Sequence, residues 1–264
     1  MNENDIKENF NQNLKAIEYH KTLHELLHAK KIYFEKTLSF IHDVVKTRRF
    51  EGTKVLEVGS GATVHNIASA SAHFPIVVQS DFVEDNLQVL KNWLAGDSPL
   101  DWSEFLEIAE RLESPHGDPN LVRAQLESRI RSNVKAVVRC DILSDDVLQL
   151  EKLPANATPP YDLIISVLCL EVPCVDFESF VKVLQRMNKL LRKGGGLVIS
   201  SVLDNDFWTV GDKYFSHLRI DLKGILTALD LAGFGHHEVK LMSPMNPEYV
   251  TLQLEYYCIA SEKL

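Results

Sequence analysis

A short apolar run that ends in two glycines constrains the fold of this chain more than any other segment. Residues 54–64 read KVLEVGSGATV, a pattern typical of a buried strand followed by a tight turn. Gly59 and Gly61 would let the backbone approach a ligand closely, and a helix after such a turn would offer its N-terminus. We therefore expect a strand–turn–helix unit that binds a ligand at the turn.

Strands and helices alternate along most of the chain. Apolar runs predict buried strands, and the segments between them carry hydrophobic residues at helical spacing. This alternation indicates an α/β fold built on a mostly parallel sheet. The predicted strands lie at 53–59, 75–81, 135–143, 161–170 and 196–203, and the predicted helices at 1–50, 63–74, 84–94, 176–195 and 219–233. A closing hairpin is predicted at 235–242 and 249–261, and 96–134 reads as a helical insertion.

Composition narrows the class of protein. The chain has 264 residues, 45% of them hydrophobic, and a net charge of −9. An acidic chain is a poor candidate for nonspecific nucleic-acid binding, and its apolar runs are too short to span a membrane. The N-terminus shows no secretory signal. None of the four cysteines forms a C-x-x-C pair, so we expect a reduced, cytoplasmic protein without a structural metal.

The glycine turn leaves two classes of cofactor open. A dinucleotide-binding turn needs a third glycine, and Val64 stands at that position. Asp81 ends the second predicted strand at the spacing from Gly59 at which an acid reaches ribose hydroxyls. Dinucleotides and S-adenosylmethionine both contain a ribose, so Asp81 does not separate them. The same acid could also simply cap the helix that follows.

Glu57 favours S-adenosylmethionine over a dinucleotide as the cofactor. The run EVGSG, from Glu57 to Gly61, resembles the first motif of the Rossmann-like S-adenosylmethionine-dependent methyltransferases. The segments CDI, YDLIIS and LLRKGGGLVIS then follow in the order of that template.

Longer runs narrow the resemblance to one family. The segments NFNQNLKAIEYH, SDFVEDNLQVLKNWL, SVLCLEVPCVDFESF and VLDNDFWTVGDKYFSHL are similar to the nicotinamide, phenylethanolamine and thioether/indolethylamine N-methyltransferases. The resemblance covers nearly the whole chain. It implies a single class I methyltransferase domain over residues 1–264, with a seven-stranded sheet, helices on both faces and a helical lid at 1–50.

The resemblance also implies which residues bind the ligands. The cofactor residues would be Lys15, His20, Gly59, Ser60, Gly61, Thr63, His65, Asp81, Phe82, Asn86, Asp141, Ile142 and Val167. The substrate residues would be Tyr19, Leu168, Ser201 and Trp208. Lys15, His20 and His65 depart from the family, which usually has tyrosines at these positions. Nicotinamide-type members often carry an acid where this chain has Ser201.

Two acids follow predicted strands at positions that suit catalysis. Glu171 follows the fourth strand and Asp204 the fifth, where amine-methylating members carry acids. A carboxylate there could remove a proton from an amine or offset the positive charge of a methylated pyridine. Alternatively, Glu171 could cap a helix and Asp204 could be an ordinary loop acid.

The sequence therefore predicts an S-adenosylmethionine-dependent N-methyltransferase acting on nicotinamide or a related pyridine or biogenic amine. We expect a monomer without membrane or nucleic-acid partners. One alternative is a catalytically silent S-adenosylmethionine-binding interaction protein, suggested by the altered Lys15 and His20. Another is a methyltransferase of proteins or nucleic acids.

Overall fold

The computed structural model describes residues 2–242 and 255–264. Its helices are α1 (Glu3–Asn13), α2 (Ala16–Ala29), α3 (Lys31–Lys46), α4 (Glu84–Ala95), α5 (Ser103–Glu113), α6 (Pro119–Asn133), α7 (Phe177–Leu190) and α8 (Leu222–Leu231). Its strands are β1 (Lys54–Val58), β2 (Ile76–Asp81), β3 (Val134–Arg139), β4 (Tyr161–Val167), β5 (Leu191–Val202), β6 (Phe207–Val210), β7 (Lys213–Ser216), β8 (Phe234–Met242) and β9 (Tyr256–Lys263).

Seven strands form one sheet in the order β3-β2-β1-β4-β5-β9-β8. The first five are parallel to their neighbours, whereas β9 runs antiparallel to both β5 and β8. The predicted mostly parallel α/β fold is therefore confirmed. The strand order changes direction between β1 and β4, because the chain continues from β1 toward one side of the sheet and from β4 toward the other. The two connections leave a crevice at the carboxyl ends of β1 and β4.

Hydrophobic side chains alternate between the two faces of the sheet. In β1, Val55 joins the core beneath α3, α4 and α5, while Leu56 and Val58 join the core beneath α7 and α8. In β4, Ile164 faces the second core and its neighbours Leu163 and Ile165 face the first. Because both faces are covered, these strands are mostly apolar, as their sequences suggest.

The helix predicted at 63–74 is absent, and one hairpin was not predicted. Residues 63–74 form turns that end in a short 3-10 helix at Ala70–Ala72 instead of an α-helix. β-branched and small polar residues fill this segment, and its hydroxyls bond locally to the backbone, as Ser71 does to the carbonyl of Ala68 at 2.6 Å. The β6–β7 hairpin was not predicted. The start of the last predicted strand, 249–254, lies outside the described residues.

The N-terminal helices cover the carboxyl edge of the sheet. Helix α1 starts at a capping box formed by Asn2 and Asp5 and contacts β7, while α2 contacts α4 and β6. Helix α3 is buried along one side and packs on α5, which with α6 makes up most of residues 96–134. In the part of the chain described, none of the helices has both the length and the hydropathy needed to cross a bilayer.

Candidate active site

The carboxyl ends of four parallel strands bring the motif residues to one edge of the sheet. Gly59 follows β1, Asp81 ends β2, Asp141 follows β3 and Leu168 follows β4. Three cavities open there, and Tyr19 and Leu168 lie in the walls of all three. We call them the glycine-loop cleft, of about 100 Å³, the inner pocket, of about 20 Å³, and the outer chamber, of about 220 Å³.

The glycine turn has no room for side chains. Gly59 and Gly61 have φ angles of 72° and 58°, a region that disfavours residues with a Cβ. A Cβ on Gly61 would lie 2.6 Å from Cε1 of Tyr19, and one on Gly59 would overlap the Cys169 side chain. The turn is fixed from below, because the N–H groups of Gly59 and Ser60 both donate to the Ser80 carbonyl at 2.9 Å.

Asp81 lies in the wall of the glycine-loop cleft and organises it. Its Oδ2 accepts from the N–H of Gly61 at 2.8 Å, and its Oδ1 accepts from Val83 N and Asn86 Nδ2 at 2.9 and 3.0 Å. Burial raises the pKa of Asp81 in spite of these donors. Asn86 also lines the cleft, and its buried Oδ1 has no partner. This oxygen is an acceptor still available to a ligand hydroxyl.

The far end of the cleft is apolar with one acid at its edge. Phe82 and Ile142 line it, and the guanidinium of Arg139 lies 4.7 Å from the Phe82 ring centroid. Asp141 is paired with Lys7 of α1, whose Nζ lies 2.6 Å from Oδ2. The N-terminal helices thus contribute a charge directly to this end of the cleft.

The inner pocket is lined by five predicted cofactor residues: Gly59, Ser60, Thr63, His65 and Val167. Burial lowers the pKa of His65 to about 3, so its imidazole is neutral. Its buried Nδ1 has no partner. Glu57, the acid of the EVGSG motif, lies beneath the turn and accepts from Asn66 Nδ2 and Gln79 Nε2 at 3.1 and 2.9 Å.

The outer chamber is mostly apolar and aromatic. Its walls include Leu23, Leu26, Tyr33, Phe34, Val172, Val202, Phe207, Trp208 and Tyr256. Among the described residues, its walls contain two basic side chains, Lys30 and His217, and no carboxylate. Trp208 has a buried Nε1 donor without a partner. Lys30 Nζ donates to the Tyr256 hydroxyl at 2.8 Å.

Glu171 lies behind His217 in a buried polar cluster. Oε1 of Glu171 is 3.5 Å from Nε2 of His217 and accepts from the Tyr257 hydroxyl at 3.1 Å. Ser201 Oγ lies 3.4 Å from the same Nε2. The side chains of Glu171 and His217 are only 3% and 4% exposed. Solvent therefore screens this pair weakly.

The contacts of His217 fix its proton positions. Nδ1 lies 3.1 Å from the carbonyl oxygens of Asn205 and Leu218, which only accept, so Nδ1 carries a proton. Burial works to lower the pKa of His217, but its hydrogen bond and charge attraction to Glu171 outweigh burial and raise it. Burial likewise works to raise the pKa of Glu171, and His217 holds it below its usual value. Each partner therefore favours the charged form of the other.

Several predicted residues do not reach the cavities. Asp204, predicted to be catalytic, is exposed, because its left-handed backbone (φ 54°) turns the chain so that Asn205 lines the chamber instead. Ser201 was expected to contact substrate and Glu171 to act on it, but both are buried behind His217 and absent from the chamber wall.

Lys15 and His20 also lie outside all three cavities. Lys15 is exposed at the start of α2. The His20 ring points to the Asp101 carbonyl, 2.8 Å away, and packs edge-on against Trp102. The two departures from the family that suggested altered cofactor closure therefore do not change the walls of the cleft.

Comparison with known proteins identifies the family. A model of the NNMT/PNMT/TEMT family matches residues 1–264. The chain belongs to this family. It is 32% identical to nicotinamide N-methyltransferase of Homo sapiens over 186 residues, covering 70% of this chain and 67% of that one. The Sus scrofa enzyme of the same name is 32% identical over 81% of this chain and 76% of its own length. Phenylethanolamine N-methyltransferase of Mus musculus is 29% identical, with coverages of 75% and 65%.

Solved structures share the fold at low identity. Magnesium protoporphyrin IX methyltransferase from Synechocystis, with bound SAH, has a TM-score of 0.57 and 13% identity, and each chain is 99% covered. A SAM-dependent methyltransferase from Methanosarcina mazei has a TM-score of 0.51 and 12% identity, with 81% of this chain and 93% of that one covered. As a member of the NNMT/PNMT/TEMT family, the chain is an S-adenosylmethionine-dependent methyltransferase of small molecules.

The glycine-loop cleft and inner pocket fit S-adenosylmethionine. Both glycines lie in the cleft wall with positive φ angles, and the space beside each is too small for a Cβ, so the side chains of Tyr19 and Cys169 lie directly against the bare backbone of the turn. The unpartnered Oδ1 of Asn86 matches a ribose hydroxyl, and the neutral His65 has an unpartnered ring nitrogen in the inner pocket. The apolar walls at Phe82 and Ile142 match a flat purine.

Proposed function

We propose that this enzyme N-methylates a small neutral aromatic nitrogen base, with nicotinamide as the type substrate and 1-methylnicotinamide as its product. One observation carries the proposal: among the described residues, the basic side chains in the walls of the outer chamber are Lys30 and His217 and no carboxylate lines it, while Glu171 lies behind His217. A neutral pyridine can enter such a chamber without meeting a like charge.

The cofactor would span the glycine-loop cleft and the inner pocket. Asp81 and Asn86 offer acceptors for ribose hydroxyls, and Asp141 offers one for the adenine amino group. Phe82 and Ile142 would enclose the adenine ring. At the other end, Ser60, Thr63, His65 and Val167 would hold the methionine portion beside the glycine turn. This places the methyl-bearing sulfur near Tyr19 and Leu168, where the cavities join.

S-adenosylmethionine supplies a methyl group on a positively charged sulfur. Held by the residues named above, it would supply this methyl group to the lone pair of the pyridine nitrogen, and the electrons of the carbon–sulfur bond would remain on sulfur. No proton is transferred, because the pyridine lone pair is already free and the product is a pyridinium cation. The enzyme therefore acts mainly by holding the two reactants in line and by excluding water.

His217 would act on the substrate through its charge. Nδ1 of its imidazolium donates to backbone carbonyls, and Nε2 faces Glu171 Oε1 at 3.5 Å and Ser201 Oγ at 3.4 Å. A positively charged ring at the chamber wall would disfavour an ammonium group. The indole N–H of Trp208 has no partner in the same chamber, and it would orient the carbonyl oxygen of a carboxamide.

An alkylamine fits this chamber less well. Such an amine is protonated at neutral pH, so it would have to be stripped of water beside Lys30 and then lose its proton. Asp204, which the sequence offered as the acid for this step, is exposed. Glu171, in the described part of the chain, acts through His217, whose raised pKa makes it a poor proton acceptor below that pKa.

A substrate panel tests the proposal. The protein would be incubated with methyl-labelled S-adenosylmethionine and, separately, nicotinamide, quinoline, phenylethanolamine and tryptamine at pH 7. The expected result is methylation of the two aromatic nitrogen bases with kcat/KM at least about tenfold above either amine. Preference for an amine would contradict the substrate class. Cofactor binding without methylation of any compound would favour the catalytically silent alternative.

A further inference from the structure

Helices α2 and α5 bring together two imidazoles and one carboxylate outside the three cavities. His24 and His28 of α2 and Glu104 of α5 place their ligand atoms within 4.8 Å of one another. His28 Nε2 lies 3.6 Å from Glu104 Oε2. Residues 24–28 read HELLH, which puts the two histidines four residues apart on one face of the helix.

The three side chains have the chemistry of a transition-metal site. Two histidines spaced by one helical turn, completed by a carboxylate from another element, form a recognised zinc-binding arrangement. His28 and Glu104 have side chains 70% and 49% exposed, so an ion can reach them and they can move to bonding distance. His24 is less free, because its Nε2 lies 3.1 Å from both the Asp101 carbonyl and His20 Nε2.

We propose that His24, His28 and Glu104 bind one divalent transition-metal ion, with Zn²⁺ as the type ion, and that the ion fixes α2 to α5. The sequence predicted no structural metal because the cysteines form no C-x-x-C pair and no histidine cluster lies near them at zinc spacing; His24 and His28 lie far from the cysteines in sequence. Glu25, which lies between the two ligands in sequence, is exposed. The proposal is therefore limited to the binding of the metal ion and to its effect on the movement of α2.

Fixing α2 has a consequence for the active site. Tyr19, in the same helix, lies against the glycine turn, 2.6 Å from the position of a Cβ on Gly61, and forms a wall of all three cavities. Cofactor entry requires this ring to move, since it covers the turn. A metal ion that holds α2 against α5 would slow that movement. This second part rests on the proposed function, whereas metal binding does not.

Calorimetric titration of the metal-free full-length protein with ZnCl₂ tests the site itself. We expect one Zn²⁺ per chain, with His28→Ala and Glu104→Gln each weakening binding at least about tenfold. His236→Ala is the matched control, because it removes an exposed histidine that pairs with Glu262 at 3.1 Å but has no second histidine ligand. Its affinity for Zn²⁺ should equal that of the wild type. Unchanged Zn²⁺ affinity in both His28→Ala and Glu104→Gln would overturn the site.

Stopped-flow release of S-adenosylhomocysteine tests the effect on α2. Saturating Zn²⁺ should slow release at least about threefold in the wild type and leave the rate in His28→Ala unchanged. Zn²⁺ binding at the site without any change in the release rate would overturn the mechanical part. If the protein binds Zn²⁺ as predicted but never binds S-adenosylhomocysteine, the proposed function fails and the metal site stands.

Discussion

The glycine-loop cleft and the outer chamber share Tyr19 and Leu168 but have different ionisable groups in their walls. The cleft is lined by the carboxylates of Asp81 and Asp141, the second of which pairs with Lys7, while the described walls of the chamber hold Lys30 and His217 and no carboxylate. In the cleft the acids lie at strand ends and face the cavity directly. In the chamber the nearest acid, Glu171, is 3% exposed and acts only through His217.

This difference suits the cleft to the cofactor and the chamber to the substrate. Carboxylates at strand ends suit hydroxyl and amino groups, which donate hydrogen bonds. A chamber with cationic donors and aromatic walls suits a neutral ring that accepts them, and it disfavours an ammonium group. The same edge of the sheet can therefore hold a cationic cofactor on one side and a neutral base on the other.

The largest expected effect comes from closing the cleft with Gly61→Val. Valine would add backbone strain at a φ of 58° and a side chain within 2.6 Å of the Tyr19 ring. Strain of this kind costs about 1–3 kcal/mol before any clash is counted. Affinity for S-adenosylhomocysteine, measured by calorimetry, should fall about 100-fold or more.

Gly96→Val is the control for backbone strain alone. Gly96 has a φ of 82°, and a Cβ there would have no neighbour within 4 Å. This variant should lose stability but keep its affinity for S-adenosylhomocysteine. If Gly61→Val binds as tightly as Gly96→Val, the turn is not the cofactor site.

Breaking the buried pair with Glu171→Gln should have the next largest effect. Without the carboxylate, His217 loses the interaction that raises its pKa, and burial then lowers that pKa. The variant would hold less imidazolium at a given pH and would lose the buried charge pair behind the chamber wall, so kcat/KM for nicotinamide should fall roughly 10-fold or more. The pH at which activity declines should also move downward. A loss of activity with no such movement would leave Glu171 with a structural role alone.

The same variant should change how stability depends on pH. His217 has a pKa raised above 6.5, so its share of the pair's stability is complete below pH 6.5 and is lost as pH rises through the raised pKa. Glu171 has a pKa depressed below 4.5, so its share is complete above pH 4.5 and is lost as pH falls through the depressed pKa. The wild-type advantage in unfolding free energy should therefore be largest between pH 4.5 and 6.5.

Asn205→Asp should make the outer chamber more like the glycine-loop cleft, because it places a carboxylate in the chamber wall. Asn205 lines the chamber and its carbonyl already holds His217. A negative charge there would favour a cationic substrate, so the ratio of kcat/KM for phenylethanolamine to that for nicotinamide should rise about tenfold. A ratio unchanged by this substitution would show that charge in the chamber does not select the substrate.

The smallest effect is expected from Asp204→Asn. The side chain is exposed and turned away from the chamber, so kcat/KM for every accepted substrate should stay within about twofold of the wild type. This variant is also the isosteric control for Glu171→Gln. A loss comparable to that of Glu171→Gln would restore Asp204 to the mechanism.

The sequence predicts the cleft better than the chamber because the two are built differently. Gly59, Gly61 and Asp81 belong to short local motifs at strand ends, and the parallel sheet order then brings those ends together. His217 and Lys30 belong to elements far apart in the chain, and no local pattern relates them to Glu171. A histidine flanked by apolar and hydroxyl residues near a strand end was the only available signal for His217.

A backbone angle and local side-chain hydrogen bonds account for two other differences between the prediction and the structure. Sequence spacing selects Asp204, but a left-handed residue at that position turns the next residue, Asn205, toward the chamber. The helix predicted at 63–74 is absent because its polar side chains, such as those of Asn66 and Ser71, bond to nearby groups instead. Such choices depend on tertiary contacts and cannot be derived from periodicity.

The pH dependence of kcat/KM for nicotinamide tests the central claim most directly. The claim is that an imidazolium, held protonated by Glu171, faces a neutral base. Nicotinamide stays neutral above pH 6, so activity should be high below the raised pKa of His217, above 6.5, and fall as pH rises through it. His217→Gln, which retains a neutral donor, should remove that decline. Activity that instead rises with pH through this range, with phenylethanolamine as the better substrate, would show that His217 acts as a base on a cationic amine and would contradict the account.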